Sequence, residues 1–161
     1  MRRQMLRAVV AFGGLIVFVS FVRADGKVDL DKVPANIMSA IKARFPDPQI
    51  RSVEKEDENG KVIWDVELTQ KGRKYEMDIK DDATIVEVEK EVAVKDFPAA
   101  CAKAVAAKFP NAKIKEIMEV NKVEGNKEKP ENYEVTLEEP GKKAFEAVVA
   151  LDGSSVTEEK E

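Results

Sequence analysis

Apolar residues recur at every fourth position in two short stretches of the chain, which match each other. They are Val33, Ile37, Ile41 and Phe45 in the first stretch and Phe97, Cys101, Val105 and Phe109 in the second. This spacing places the apolar side chains on one helical face. The stretches are related by a constant offset, 97 − 33 = 64, and each ends in Phe-Pro, which stops a helix. The sequence therefore predicts two copies of one helix.

Behind each predicted helix, apolar and polar residues alternate, which is typical of strands with one buried face. The predicted strands begin at Ile50, Val62, Tyr75 and Ile85 in the first copy and at Ile114, Tyr133, Phe145 and Val156 in the second. In this pattern Trp64 and Tyr133 point into the core. We predict an α+β fold of two tandem units, residues 25–92 and 93–161, called the first and second repeat below. Each has one helix packed on its own four-stranded antiparallel sheet.

The two repeats differ in their first hairpin. The first repeat has Asn59-Gly60, the dipeptide that most strongly favours a tight hairpin turn. In the second repeat Tyr133 matches Trp64 at a larger offset, 133 − 64 = 69, so this hairpin has been lengthened by five residues. We interpret the polar residues 125–132 as a long, mobile loop.

The amino terminus has the pattern of a bacterial export signal. Arg2, Arg3 and Arg7 precede an apolar run from Ala8 to Val22. This run is shorter than the roughly 20 residues that span a bilayer. We predict a signal peptide over residues 1–24, cleavage after Ala24, and a periplasmic or secreted protein; a retained amino-terminal anchor is the alternative. The arginine pair leaves both the Sec and the twin-arginine export routes open.

Composition excludes several classes of function. Residues 1–24 contain four Arg and no acid, so their removal changes the net charge from −4 to −4 − 4 = −8. Such a chain is not expected to bind nucleic acid or, after signal removal, a membrane. There is no His, the single Cys101 cannot form an internal disulfide, and no nucleophile–base pair or Gly-rich phosphate loop is present. We predict no catalytic residue, no cofactor and no enzyme activity.

Acidic side chains occupy the polar positions of two neighbouring predicted strands. They are Asp65, Glu67, Glu76 and Asp78. At the corresponding outer positions of the second repeat, Val148 and Ala150 are apolar, which can mark a contact surface. We take these six residues as a candidate partner-binding surface; the simpler interpretation of the acidic residues is the solvated side of a sheet. Val148 and Ala150 could equally contact the first repeat or a second copy of the chain. A divalent cation is a further alternative as a ligand, but the EF-hand spacing is absent and no metal-ligating residue is predicted.

The order of these motifs resembles the PepSY-like family, also described as β-lactamase-inhibitor-like. The matching residues are Pro34, Ile37, Ile41, Phe45-Pro46, Ile50, Val53-Glu54, Trp64-Asp65-Val66 and Tyr75-Glu76-Met77 in the first repeat, and Pro98, Val105, Phe109-Pro110, Ile114, Ile117, Tyr133-Glu134-Val135 and Phe145-Glu146-Ala147 in the second. The resemblance implies a secreted or periplasmic, non-enzymatic module. Some relatives occur in protease propeptides, and similar inhibitors bind an enzyme across a concave sheet.

The resemblance does not extend to a set of inhibitory residues. This chain lacks the disulfide pair of those inhibitors, and no inhibitory position can be matched. We therefore expect an exported, non-catalytic protein that binds or restrains an extracytoplasmic protein such as a hydrolase. An acidic envelope protein that senses or buffers divalent cations is the alternative.

Overall fold

Two α-helices, each preceded by a short 3-10 helix, and eight strands follow one another in a computed structural model that describes residues 29–58 and 60–159. The elements are α1 (Ala35–Arg44), β1 (Gln49–Glu58), β2 (Lys61–Gln70), β3 (Arg73–Lys80), β4 (Ile85–Glu91), α2 (Ala99–Lys108), β5 (Lys113–Glu124), β6 (Lys127–Glu138), β7 (Phe145–Ala150) and β8 (Val156–Glu158). Each repeat is thus one helix followed by four strands, as predicted. The predicted signal peptide and Asn59 of the predicted turn lie outside the described residues. Within that part of the chain, no helix is long and apolar enough to cross a membrane.

All eight strands belong to one antiparallel sheet, in which each strand pairs with its neighbours in sequence. The two separate four-stranded sheets expected from the sequence are therefore replaced by a single sheet. Strand β4 pairs with β5, with Glu87 opposite Lys122 and Glu91 opposite Met118. The physical reason is that a free strand edge has unpaired backbone groups, and joining two edges satisfies both.

The repeat is visible in the backbone as well as in the sequence. The β1–β2 ladder has a register shift between Ile50 and Ser52, and the β5–β6 ladder has one between Ile114 and Glu116. The two shifts are separated by the same offset that relates the two helices, since 114 − 50 = 64. The irregularity in strand pairing is therefore repeated at the same place in both copies.

Each helix covers one half of the sheet and closes a separate hydrophobic cluster. From α1, Ile37 and Ile41 are fully buried, and α2 contributes Cys101 and Val105 to the second cluster. The sheet residues under α1 include Val53, Val66, Leu68, Met77 and Val88, and those under α2 include Ile117, Val135, Leu137, Ala147 and Val149. Burying each aliphatic side chain contributes about 1.5–3 kcal/mol.

The two predicted core aromatics are confirmed. Trp64 and Tyr133 are buried in the first and second cluster, respectively. The indole N–H of Trp64 donates a hydrogen bond to Asp81 Oδ1 at 3.1 Å. The Tyr133 ring meets Phe97 edge to face, with 5.2 Å between the ring centroids. Both rings are therefore part of the core.

Side chains from each repeat also pack on the other repeat's cluster. Val123 of β5 lies against the first cluster, and Val92, which directly follows β4, lies against the second. The Val92 N–H donates to the Ile117 carbonyl at 2.8 Å. These crossed contacts connect the two clusters through the central strands.

The prediction of a mobile loop at residues 125–132 is wrong, because most of these residues form the start of β6. The turn is short and centred on Gly125, whose φ is +61°. Pro130 lies at a second register shift, where β6 has one more residue than β5 between Asn121 and Val120. A proline is tolerated at a bulge because no ladder hydrogen bond from its nitrogen is needed there. The polar composition that suggested a loop belongs to a strand whose side chains form ion pairs.

Strand β1 is an edge strand, and its repeat counterpart β5 is an inner strand. At the helix offset, Glu54 and Glu56 of β1 correspond to Met118 and Val120 of β5. Charged side chains on an edge oppose pairing with another chain. The two glutamates thus distinguish the edge copy of this strand from the inner copy.

We expect the double variant Glu54→Met/Glu56→Val to self-associate, because it gives the edge the side chains of the inner strand. Sedimentation velocity of the mature chain should show dimers or larger species that increase with concentration. Glu54→Gln/Glu56→Gln is the control, since it removes the charges but keeps the edge polar, and it should stay monomeric. A double variant that is monomeric at every concentration would contradict the proposed protection of the edge.

Candidate functional site

The four predicted carboxylates lie together on the side of the sheet opposite the helices. We call this side the helix-free face, because no helix among the described residues packs on it. Asp65 of β2 is directly opposite Asp78 of β3, and Glu67 is opposite Glu76. The prediction that these four residues share one face is therefore consistent with the register.

Strand β4 adds two acidic residues that the sequence analysis did not assign. Glu87 is opposite Asp78, and Glu89 is opposite Glu76. The alternation of acidic residues with Val86 and Val88 in β4 is the signal that could have identified them. On the other side, Glu54 of β1 is opposite Asp65. We call this set the acidic half: Glu54, Asp65, Glu67, Glu76, Asp78, Glu87 and Glu89.

Lys74 and Lys122 lie among these carboxylates and connect the two repeats. Lys74 Nζ is 2.7 Å from Glu76 Oε1 and 3.2 Å from Glu116 Oε1 of β5. Lys122 of β5 forms an ion pair with Glu87 of β4. Like charges opposite each other in a ladder are destabilising, and the two lysines reduce that repulsion.

The surrounding carboxylates change the ionisation of both lysines. Burial acts to lower the pKa of Lys74, but Glu76 and Glu116 outweigh it and raise that pKa above its usual value. Burial opposes the shift at Lys122 in the same way, and Glu87 raises its pKa. A lysine whose pKa is higher in the folded state stabilises the fold while it is charged. This contribution is therefore complete below about pH 10 and is lost only as the pH rises through the folded-state pKa values.

Val148 and Ala150 lie on the same face in β7, as predicted. Val148 is opposite Glu134 and Ala150 is opposite Asn132, and both side chains are half-buried. Two further apolar residues of this face were not identified from the sequence. Met118 and Val120 of β5 occupy the same two rows, and neither belongs to a cluster under a helix. Their contrast with Glu54 and Glu56 in the first repeat is the signal that could have identified them.

We call Met118, Val120, Val148 and Ala150 the apolar strip. Pairing of β4 with β5 brings this strip next to the acidic half. Glu89 is directly opposite Val120, and Glu91 is opposite Met118. Within the strip, Glu134 and Asn132 of β6 separate the two residues of β5 from the two of β7. Met118 and Val120 are almost fully buried, whereas Val148 and Ala150 are half-buried. The acidic half and the apolar strip lie on one continuous sheet.

Other kinds of site are not evident in the described part of the chain. Among residues 29–58 and 60–159, no group of three or more His, Cys, Asp or Glu side chains is arranged to hold a metal ion. Cys101 is buried, and this burial raises the pKa of its thiol. A thiol in that environment is a poor nucleophile.

A family model described as "Putative beta-lactamase-inhibitor-like, PepSY-like" matches residues 22–86 and 63–153. The two overlapping segments together cover most of the chain, and each contains one of the two helices. Among curated proteins, none is detectably similar in sequence.

Several solved structures from Bacteroides species have a similar fold. A BLIP-like protein from Bacteroides fragilis has a TM-score of 0.53 and 17% identity, over 78% of this chain and 84% of that one. A protein from Bacteroides eggerthii, described among "putative periplasmic proteins", has a TM-score of 0.58 and 15% identity, over 78% and 88%. A DUF2874 family protein from Bacteroides uniformis has a TM-score of 0.56 and 14% identity, also over 78% and 88%. At these identities the likeness concerns the fold.

Proposed function

The chain belongs to the PepSY-like family, and from this premise we propose that it is an exported, non-catalytic protein whose helix-free face binds another protein outside the cytoplasm. The export signal predicted over residues 1–24 supports the location, as does the fold shared with a protein described as periplasmic. The fold shared with a BLIP-like protein supports a protein as the partner. Restraint of a hydrolase is the specific form of this function that we propose.

The observation that carries this proposal is the composition of the helix-free face. The acidic half and the apolar strip are adjacent, through the pairing of Glu89 with Val120. Protein interfaces combine an apolar centre with charged surroundings that complement the partner. A sheet held by continuous ladders also loses little conformational freedom on binding, which favours affinity.

The composition of the face specifies the surface that a partner would present. Basic side chains of the partner would face Asp65 and Glu67, which are half-buried, beside the more deeply buried Glu76 and Asp78. Apolar side chains would cover Val148 and Ala150, which are also half-buried. The charges would speed encounter and exclude acidic proteins, and the burial of apolar area would slow dissociation. This division of roles predicts that added salt weakens binding mainly by lowering the association rate, with little change in the dissociation rate.

The cation-binding alternative is not supported by a specific observation. Lys74 and Lys122 lie within the acidic half and bond to its carboxylates. A calcium site needs several oxygens that converge on one point. We therefore propose protein binding alone.

We expect the double variant Asp65→Lys/Glu67→Lys to lose at least tenfold in affinity for the partner, which corresponds to about 1.4 kcal/mol. Each new lysine is opposite a carboxylate, at Asp78 and Glu76, and opposite charges across a ladder are favourable. The change at Glu67 also removes its ion pair with Lys74, so far-ultraviolet circular dichroism is used to check that the fold is kept. The partner would be recovered from envelope extract with the immobilised mature chain, identified by mass spectrometry, and titrated against each variant by calorimetry.

Asp29→Lys/Asp31→Lys is the matched control. It makes the same change in net charge in an exposed segment before α1, outside the sheet. This control should bind as the parent does. Equal affinity of the face variant and the parent would contradict the proposed site, and repeated recovery of no partner would contradict the function.

A further inference from the structure

A carboxylate from the second repeat is held by two basic side chains of the first. Glu128 of β6 forms an ion pair with Arg44, the last residue of α1, through one carboxylate oxygen. Its other oxygen forms an ion pair with Lys90 of β4. The Glu128 side chain is only 15% exposed. This contact lies on the helix side of the sheet, away from the proposed binding face.

Basic side chains lie near one another at this contact, since Arg44 and Arg73 both act on Lys90. Burial lowers the pKa of Lys90, and Arg73 and Arg44 lower it further, while Glu119 opposes them. A group of basic side chains is unusual in a chain with more acids than bases. A carboxylate placed among them relieves their mutual repulsion, and partial burial strengthens the attraction.

An apolar contact accompanies the ion pairs at the same end of the hairpin. Val123 is directly opposite Glu128 in the β5–β6 ladder. Its side chain packs against the hydrophobic cluster of the first repeat. The end of this hairpin therefore contacts the first repeat in two independent ways.

The five residues added to the second hairpin create this contact. At the offset of 69, Glu128 corresponds to position 59, which lies outside the described residues, between the end of β1 at Glu58 and the start of β2 at Lys61. The counterpart of Arg44 at the offset of 64 is Lys108. Lys108 Nζ donates to the Val156 carbonyl of its own repeat. Arg44 thus contacts the other repeat through the lengthened hairpin, whereas its counterpart Lys108 contacts its own repeat.

We propose that Glu128 is a positioning residue that fixes the orientation of the two repeats, and thereby aligns the acidic half with the apolar strip. Adjacent strands can twist relative to each other over a range of roughly 25°. The β4–β5 ladder alone leaves some of that freedom, and Arg44 and Lys90 would remove it through Glu128. The role in binding rests on the proposed function, whereas the role in orientation does not.

The orientation is tested on the protein alone, with spin labels at Lys42→Cys and Ala106→Cys. These two exposed positions are equivalent in the repeats, since 106 − 42 = 64. Cys101→Ala removes the native thiol in every sample. Double electron–electron resonance should give one narrow distance distribution in this parent, and a broader or displaced one after Glu128→Gln. Arg44→Gln should have the same effect, and the two changes together should broaden the distribution no further than either alone.

Glu124→Gln is the control, because it makes the same chemical change at an exposed residue of the same hairpin. Its distribution should match that of the parent. An unchanged distribution after Glu128→Gln would overturn the proposed role in orientation, whether or not a partner is known. A broadened distribution together with unchanged partner affinity would overturn the link to binding and leave the proposed function intact.

Discussion

Replacing Gly153 by Ala should destabilise the protein far more than replacing Gly72 by Ala. Both glycines have a positive φ, +73° at Gly153 and +79° at Gly72. An L-residue in that conformation costs roughly 1–2 kcal/mol, and Gly72→Ala should cost about this much because a Cβ there meets no atom within 4 Å. At Gly153 the Cβ would lie 2.8 Å from the carbonyl carbon and oxygen of Ala100. We expect a further loss of about 1–3 kcal/mol from this overlap.

The close approach at Gly153 arises where the β7–β8 turn meets the first turn of α2. Cys101 Sγ is 3.5 Å from the Ala150 carbonyl oxygen and 3.4 Å from that of Leu151. The overlap involves backbone atoms, so a rotamer change cannot relieve it, and α2 would have to move away from the sheet. Urea unfolding of both variants measures the difference. Equal losses of unfolding free energy would show that α2 does not rest on this turn.

The local elements could be predicted from the sequence because each buries one apolar face. The helix period in Val33 to Phe45 and the alternation in Val62 to Thr69 arise from that burial, and the structure has a helix and a strand at these places. The duplication strengthened both assignments. Side-chain patterns are informative wherever side-chain burial determines the structure.

The joining of the two repeats could not be predicted in the same way. Strand β4 pairs with β5 through backbone groups, which are the same for every residue type. No alternation distinguishes a strand that ends a sheet from one that continues it. Only the comparison of Glu54 and Glu56 with Met118 and Val120 indicates which copy is the edge. That comparison needs only the offset of 64, but it does not show which strand lies beside β5.

The candidate surface was partly predictable for a related reason. Alternation assigned Asp65 and Glu67 to one side of β2, but which residues lie beside them depends on the register of the neighbouring strands. The register adds Glu87 and Glu89 to the acidic half and places Val120 opposite Glu89. The misassigned loop has a different cause. A charged stretch is typical of a solvated loop, whereas Glu128 bonds to Arg44 and Lys90 of the other repeat.

Truncating a core leucine in the second repeat should destabilise the first repeat as much as it destabilises the second. Leu68 and Leu137 are equivalent, since 137 − 68 = 69, and both are fully buried in different clusters. We expect Leu68→Ala and Leu137→Ala each to cost about 2–5 kcal/mol of unfolding free energy. Because Val92 and Val123 pack on the opposite clusters, the loss in either repeat should affect the whole molecule.

Trp64 makes this prediction testable, because it is the single tryptophan and lies in the first cluster. In Leu137→Ala, the unfolding midpoint from tryptophan fluorescence should fall together with that from far-ultraviolet circular dichroism. Leu68→Ala, in the same cluster as Trp64, is the control for a direct effect on the first repeat. If the repeats unfolded independently, Leu137→Ala would leave the fluorescence midpoint unchanged and split the dichroism transition in two. Coincident midpoints in both variants would mean that the β4–β5 ladder and the crossed valines make two small clusters one cooperative unit, as domains of this size require for stability.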